Sequence, residues 1–123
     1  VAAVVAYYPP TDLQPWVTDK TSRYYENFPA LRFDPKKAAT YSPLLQVTGD
    51  DAPTLLIHGD QDKLVPIEHS QNIMEEFRTH KVPAELITIK DAAHGFREKD
   101  ATTADLATVK WFRVHLLGKQ PSP

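Results

Sequence analysis

The stretch Thr54 to Pro66, T-L-L-I-H-G-D-Q-D-K-L-V-P, constrains the fold more than any other part of the chain. Thr54, Leu55, Leu56 and Ile57 run without a polar interruption, which suits a strand buried on both faces of a parallel sheet. The run stops at His58-Gly59, and two carboxylates, Asp60 and Asp62, follow before Val65-Pro66 opens a new amphipathic pattern. In open α/β sheets functional groups collect on loops leaving the carboxyl ends of strands, so Asp62 is a candidate catalytic residue.

A matching partner lies downstream. Leu86 to Ile89 form a second apolar run, followed by K-D-A-A-H-G-F, which puts His94 on the loop after the next strand. Two strand-end loops separated by one helix thus carry an Asp and a His in that order. An imidazole held by a carboxylate is the base-and-orienter half of a Ser-His-Asp arrangement. Taken singly, Asp60 and Asp62 also fit turn or capping positions and His94 fits a solvent-facing loop. It is the placement of both at successive strand ends that favours a shared site.

The remaining pattern is that of one α/β domain. Ala2 to Tyr7 reads as a first strand, ended by Pro9-Pro10. Residues 11–53 form a flap-like connection with short helices expected around Lys20 to Glu26 and Asp34 to Ala39, packed over the sheet's carboxyl edge. Pro66 is placed to start a crossover helix running to about His80, with Ile67, Ile73, Met74 and Phe77 as its apolar stripe. Glu85 to Ile89 is the next strand. Asp100 is the expected N-cap of a last helix, Ala101 to Leu117, whose stripe is Leu106, Val109, Phe112 and Leu116, widened by Trp111 and Val114. Gly118 stands at its left-handed end, and residues 118–123 form a tail.

Composition narrows the function classes. A chain of 123 residues, 41% apolar and 24% charged, suits one domain with a modest core. A net charge of −2 gives no electrostatic reason to expect nucleic acid, and no apolar run is long enough to span a membrane. The absence of cysteine excludes thiolate metal sites and leaves the compartment open. His58, Asp60 and Asp62 do not make a metal site in this reading, because adjacent turn residues seldom complete a coordination shell, and Val65 and Gln71 break the calcium-loop pattern. His58 is expected to hydrogen-bond within its turn, and His69, His80 and His115 to lie on helix surfaces.

H-G-D-Q-D-K-L-V-P, preceded by A-T-Y-S-P-L-L and followed by V-P-A-E-L-I-T-I-K-D-A-A-H-G-F, resembles the carboxyl-terminal half of an α/β-hydrolase. The likeness is to small-ester esterases and carbohydrate acetylesterases, dienelactone-hydrolase-like proteins and prolyl-oligopeptidase-type catalytic domains, and it runs from Val1 to Leu117. It implies a partial α/β-hydrolase fold, about three parallel strands with flanking helices, forming the carboxyl-terminal part of a hydrolase domain over residues 1–123. It further implies that Asp62 is the triad acid, the last residue of H-G-x-x-D, and His94 the triad histidine, acting in acyl transfer on a small carboxylic ester, acylated carbohydrates included, without a cofactor. Trp16 and Phe96, with Tyr24, are the candidates for lining the substrate pocket.

The strand-to-helix turn G-x-S-x-G that presents such a family's nucleophile belongs before the first strand seen here, and none of the four serines, Ser22, Ser42, Ser70 and Ser122, has its flanking glycines. Ser42 in Y-S-P-L-L matches a structural turn. The chain opens inside a strand, which predicts a fragment or a processed chain, nearly inert alone, whose strand Val1 to Tyr7 self-associates through an unpaired edge. A peptidase of prolyl-oligopeptidase type and a noncatalytic α/β association module are the alternative functions.

Overall fold

The computed structural model describes residues 1–118; the Lys119 to Pro123 tail, with Ser122, lies outside them. Three strands, β1 (Val4–Tyr7), β2 (Thr54–Gly59) and β3 (Ala84–Ile89), form a parallel sheet in the order β1-β2-β3. The long connection contains α1 (Gln14–Thr18) and α2 (Arg23–Asn27), then 3₁₀ turns at Pro29–Leu31, Pro35–Lys37 and Pro43–Leu45. Helix α3 (Glu68–Thr79) joins β2 to β3, and α4 (Glu98–Leu117) closes the described chain. Among the described residues no helix is long and apolar enough to cross a membrane.

All six residues of β2 are buried, as an uninterrupted apolar run in a central strand requires. Its side chains alternate between two layers. Leu55 and Ile57 enter a core with Ile89, Ala92 and Ala104, against α4. Leu56 enters the opposite core with Ile73, Phe77 and Val82, against α3. The same alternation sends His58 toward α3, where it meets Ser70.

The connection is short turns rather than regular helix because prolines punctuate it. Each 3₁₀ turn opens on a proline, whose missing N–H costs nothing at that position. Side chains then hold it. Ser42 Oγ accepts from Leu13 N at 2.9 Å and donates to Ala38 O at 2.7 Å, the structural turn role read from Y-S-P-L-L. Arg23 Nη2 donates to Lys63 O at 2.9 Å and Tyr24 Oη to Leu64 O at 2.8 Å, so α2 is stapled to the loop that carries Asp62.

Four expectations are corrected. Helix α3 begins at Glu68, with Ile67 rather than Pro66 beside its first turn; the Pro66 carbonyl instead accepts from His69 N at 3.0 Å. Helix α4 begins at Glu98 with Arg97 at the N-cap and no side-chain cap, so Asp100 sits inside the first turn, where a carboxylate favours the helix dipole. Three residues of the expected stripe of α4 face outward: Leu106 is 66% exposed, Val109 49% and Leu116 50%. Of the wider stripe Trp111 does meet the sheet, beside Ala104 and Ala107, which the stripe did not include. Close approach of helix to sheet selects small side chains there, and Tyr7 Oη reinforces it by bonding Thr108 Oγ1 at 2.8 Å and Asp105 Oδ1 at 3.1 Å. Finally, His69 is not a bare surface residue. Its Nδ1 accepts from Thr11 N at 3.0 Å and Asp12 N at 3.3 Å, and its ring tilts against Trp16.

Candidate active site

The carboxyl ends of β2 and β3 are zipped together before any reactive group is reached. Asp60 N donates to Ile89 O at 3.2 Å, Gln61 N to Ala92 O at 3.0 Å, and Asp91 N to Asp60 Oδ1 at 2.7 Å. Gly59 lies so close to the second loop that a Cβ there would stand 2.1 Å from Ala92 O. Asp60 and Gly59 therefore act as fasteners of the loop that presents His94. The motif alone marked Asp60 as a second carboxylate; only the loop crossing shows its use.

Within this frame the structure brings Asp62 and His94 together. The Asp62 side chain is fully buried, and His94 Nδ1 stands 2.8 Å from its Oδ2. The other oxygen, Oδ1, accepts from the backbone N–H groups of Leu64 and Val65, each at 2.9 Å. A carboxylate accepting two amides and an imidazole N–H is fixed in rotation. Because ionised Asp62 can only accept, Nδ1 of His94 must carry the proton when the ring is neutral, leaving Nε2 as the basic nitrogen.

His94 also forms part of the lining of a cavity of about 440 Å³ with Tyr8, Trp16, Tyr24, Phe28 and Leu31. Trp16 and Tyr24 stack at 4.6 Å between centroids, and Tyr8 tilts over the His94 ring at 4.2 Å. Trp16 thus reaches the site, but Phe96 does not line the cavity. It packs behind Tyr7 and Tyr8 at 5.6 and 5.1 Å, as part of the layer against α4. Tyr8 was not singled out from the sequence. Its φ of 39° is left-handed, a strained position for a non-glycine residue, and it turns the ring off the strand line toward His94. Its place just after a strand was the available signal.

A second imidazole stands on the same carboxylate. His58 is buried, with Nδ1 2.7 Å from Ser70 Oγ and Nε2 2.8 Å from Val65 O and 3.4 Å from Asp62 Oδ2. Ser70, His58 and Asp62 are thus joined like a triad, yet Ser70 has no exposed surface for a substrate to reach. Ser22 Oγ caps α2 by accepting from Tyr25 N, and Ser42 is enclosed. Among the described residues no cluster of three or more His, Cys, Asp or Glu is arranged to hold a metal ion.

The family model described as the prolyl oligopeptidase family matches residues 2–120. The chain belongs to that family. A non-reducing polyketide synthase, ausA of Penicillium brasilianum, is 34% identical over 71 residues, covering 52% of this family member and 3% of the synthase. Among solved structures, a puromycin hydrolase superposes with a TM-score of 0.78 at 24% identity, over 99% of this chain and 19% of that one. An esterase 2 of Thermogutta terrifontis, phosphonylated by sarin, superposes with a TM-score of 0.73 at 24% identity, over 99% and 46%. These likenesses establish the fold as that of an α/β-hydrolase, and this prolyl oligopeptidase family chain spans less than half of either neighbour.

Proposed function

We propose that this chain supplies the acid and the base of a serine hydrolase that cleaves carboxylic esters by acyl transfer. The observation that supports it is the 2.8 Å contact between His94 Nδ1 and a buried Asp62 whose other oxygen is pinned by two amides, at the wall of an apolar cavity. In this reading His94 Nε2 takes the proton from a serine hydroxyl as its oxygen attacks the ester carbonyl. The same nitrogen returns the proton to the departing alcohol, and the acyl-enzyme is then released by water activated in the same way. Asp62 holds the tautomer and stabilises the imidazolium. Trp16, Tyr24 and Phe28 would contact the apolar part of a small, uncharged substrate.

The three described serines are all committed elsewhere, as a cap, a turn and a buried partner of His58, so the nucleophile is assigned to a residue outside those described. The chain by itself is accordingly expected to be close to inert. Hydrolysis of peptides or amides is a second reading, favoured by the family match; it uses the same acid and base and differs in the leaving group.

The test is labelling with a fluorophosphonate, read by intact mass and peptide mapping. The expected result is one adduct per molecule of the intact protein, on a serine other than Ser22, Ser42 or Ser70. An adduct on any of those three, or none on the intact protein, would overturn the assignment, the latter leaving a noncatalytic association module.

A further inference from the structure

Of the imidazoles at or near the site, only His94 has a task in the reaction above; His58 is enclosed and conspicuously connected. Its Nδ1 meets Ser70 Oγ at 2.7 Å on α3, while its Nε2 meets Val65 O at 2.8 Å and lies 3.4 Å from Asp62 Oδ2. Two acceptors surround Nε2, so in the neutral ring that nitrogen carries the proton, and Nδ1 accepts from the Ser70 hydroxyl. Val65 is used twice: its carbonyl accepts from His58 Nε2 and its N–H donates to Asp62 Oδ1. The His58 ring therefore holds the turn whose amides anchor the carboxylate, with Nε2 standing beside Oδ2.

We propose that His58 is a positioning residue for the reaction: a second imidazole that shares Asp62 Oδ2 with His94 and fixes, through Asp62, the direction in which His94 presents Nε2. The inference rests on the acid-and-base reading of Asp62 and His94. Oδ1 is anchored by two amides, but a carboxylate anchored on one oxygen still rocks about that anchor. An N–H beside Oδ2, on a ring locked at both nitrogens, removes that freedom. The link also runs to α3 through Ser70, so the crossover helix and the strand-end loop are held in one register. Misplacing a general base by about an ångström costs roughly 100-fold in rate, which gives the scale of what such a contact protects.

The first experiment uses the unaltered protein. Nitrogen-correlated NMR of its histidines near neutral pH is expected to show His58 protonated at Nε2, with that proton slow to exchange, and a downfield, exchange-protected Hδ1 on His94. A His58 ring protonated at Nδ1 would overturn the proposal. Two variants of the intact protein then separate positioning from mere packing. His58→Gln keeps an N–H near the place of Nε2, whereas His58→Leu fills the space without one. With p-nitrophenyl acetate, Leu is expected to lower kcat roughly 10- to 100-fold with little change in KM and to broaden the His94 Hδ1 signal, and Gln to recover most of both. If His58→Leu keeps both kcat and the Hδ1 signal, or if Gln is no better than Leu, His58 is only core. Should the Leu variant not fold, the wild-type tautomer and the Gln variant decide. Asp62→Asn serves as the separate control. If the His94 Hδ1 signal survives that change, the pairing of Asp62 with His94 has failed, whatever His58 does.

Discussion

His94 Nδ1 meets Asp62 Oδ2 at 2.8 Å although the two residues lie on different loops, brought together by the fastening of β2's exit to β3's exit. Gly59 is where that fastening is tightest. An added methyl would stand 2.1 Å from Ala92 O and 2.6 Å from Ala92 C, both backbone atoms, so the His94 loop must move. Gly59→Ala is therefore expected to destabilise by roughly 1 to 3 kcal/mol, the usual cost of overpacking. It should also disturb the His94 Hδ1 resonance before it disturbs signals from α3. Unchanged thermal stability and an unchanged resonance would show that the loops are not coupled there.

The stability of the connection should depend on pH through His69. Burial lowers its pKa, partly opposed by the nearby Asp12, Glu68 and Asp62 carboxylates, while His58 adds to the lowering. With the folded value below the unfolded 6.5, the unfolded chain binds more protons in that window. The contribution is thus complete above the unfolded value and is lost as pH falls through the folded one, when protonated Nδ1 can no longer accept from Thr11 and Asp12. Denaturation midpoints followed by tryptophan fluorescence should drop between pH 7.5 and 5, and drop less in His69→Gln. Equal slopes for the two proteins would remove His69 from the account.

Much of the architecture can be read directly from residues. Leu55 to Ile57 and Leu86 to Ile89 announce buried strands, and strand ends in an α/β sheet are where Asp62 and His94 had to be sought. The connection was less legible because its turns depend on distant partners: α2 is secured by Lys63 O and Leu64 O, and the stretch from Thr11 to Leu13 by His69 and Ser42. Helix α4 misleads for a different reason. Periodicity finds its large apolar side chains, whereas the sheet contact is made through Ala104 and Ala107, which a stripe of Leu and Val conceals. His69 was likewise invisible, since its partners are backbone amides near the other end of the chain.

The edge of the sheet carries a further expectation. Val4 N donates to Pro53 O and Tyr8 N to Ile57 O, and the period-two alternation between them turns the backbone groups of Val5 and Tyr7 away from β2. Among the described residues β1 has β2 as its single neighbour. We infer that this chain self-associates through β1, since such an edge is a template for another strand. Sedimentation of the 123-residue chain should show mass rising with concentration, and Val5→Pro, which removes an outward N–H, should suppress it. A monomer at every concentration would contradict the inference.

The most direct test of the central claim is the turnover of p-nitrophenyl acetate by the intact protein with Asp62 changed to Asn. An amide of the same shape fits the pocket of amides and imidazoles but no longer fixes the His94 tautomer or stabilises its charged form. kcat is expected to fall roughly 10³- to 10⁴-fold while the fold and KM are nearly kept. A folded Asp62→Asn protein with kcat within about threefold of the wild type, a loss of under 1 kcal/mol, would show that Asp62 and His94 are not the acid and base of the proposed reaction.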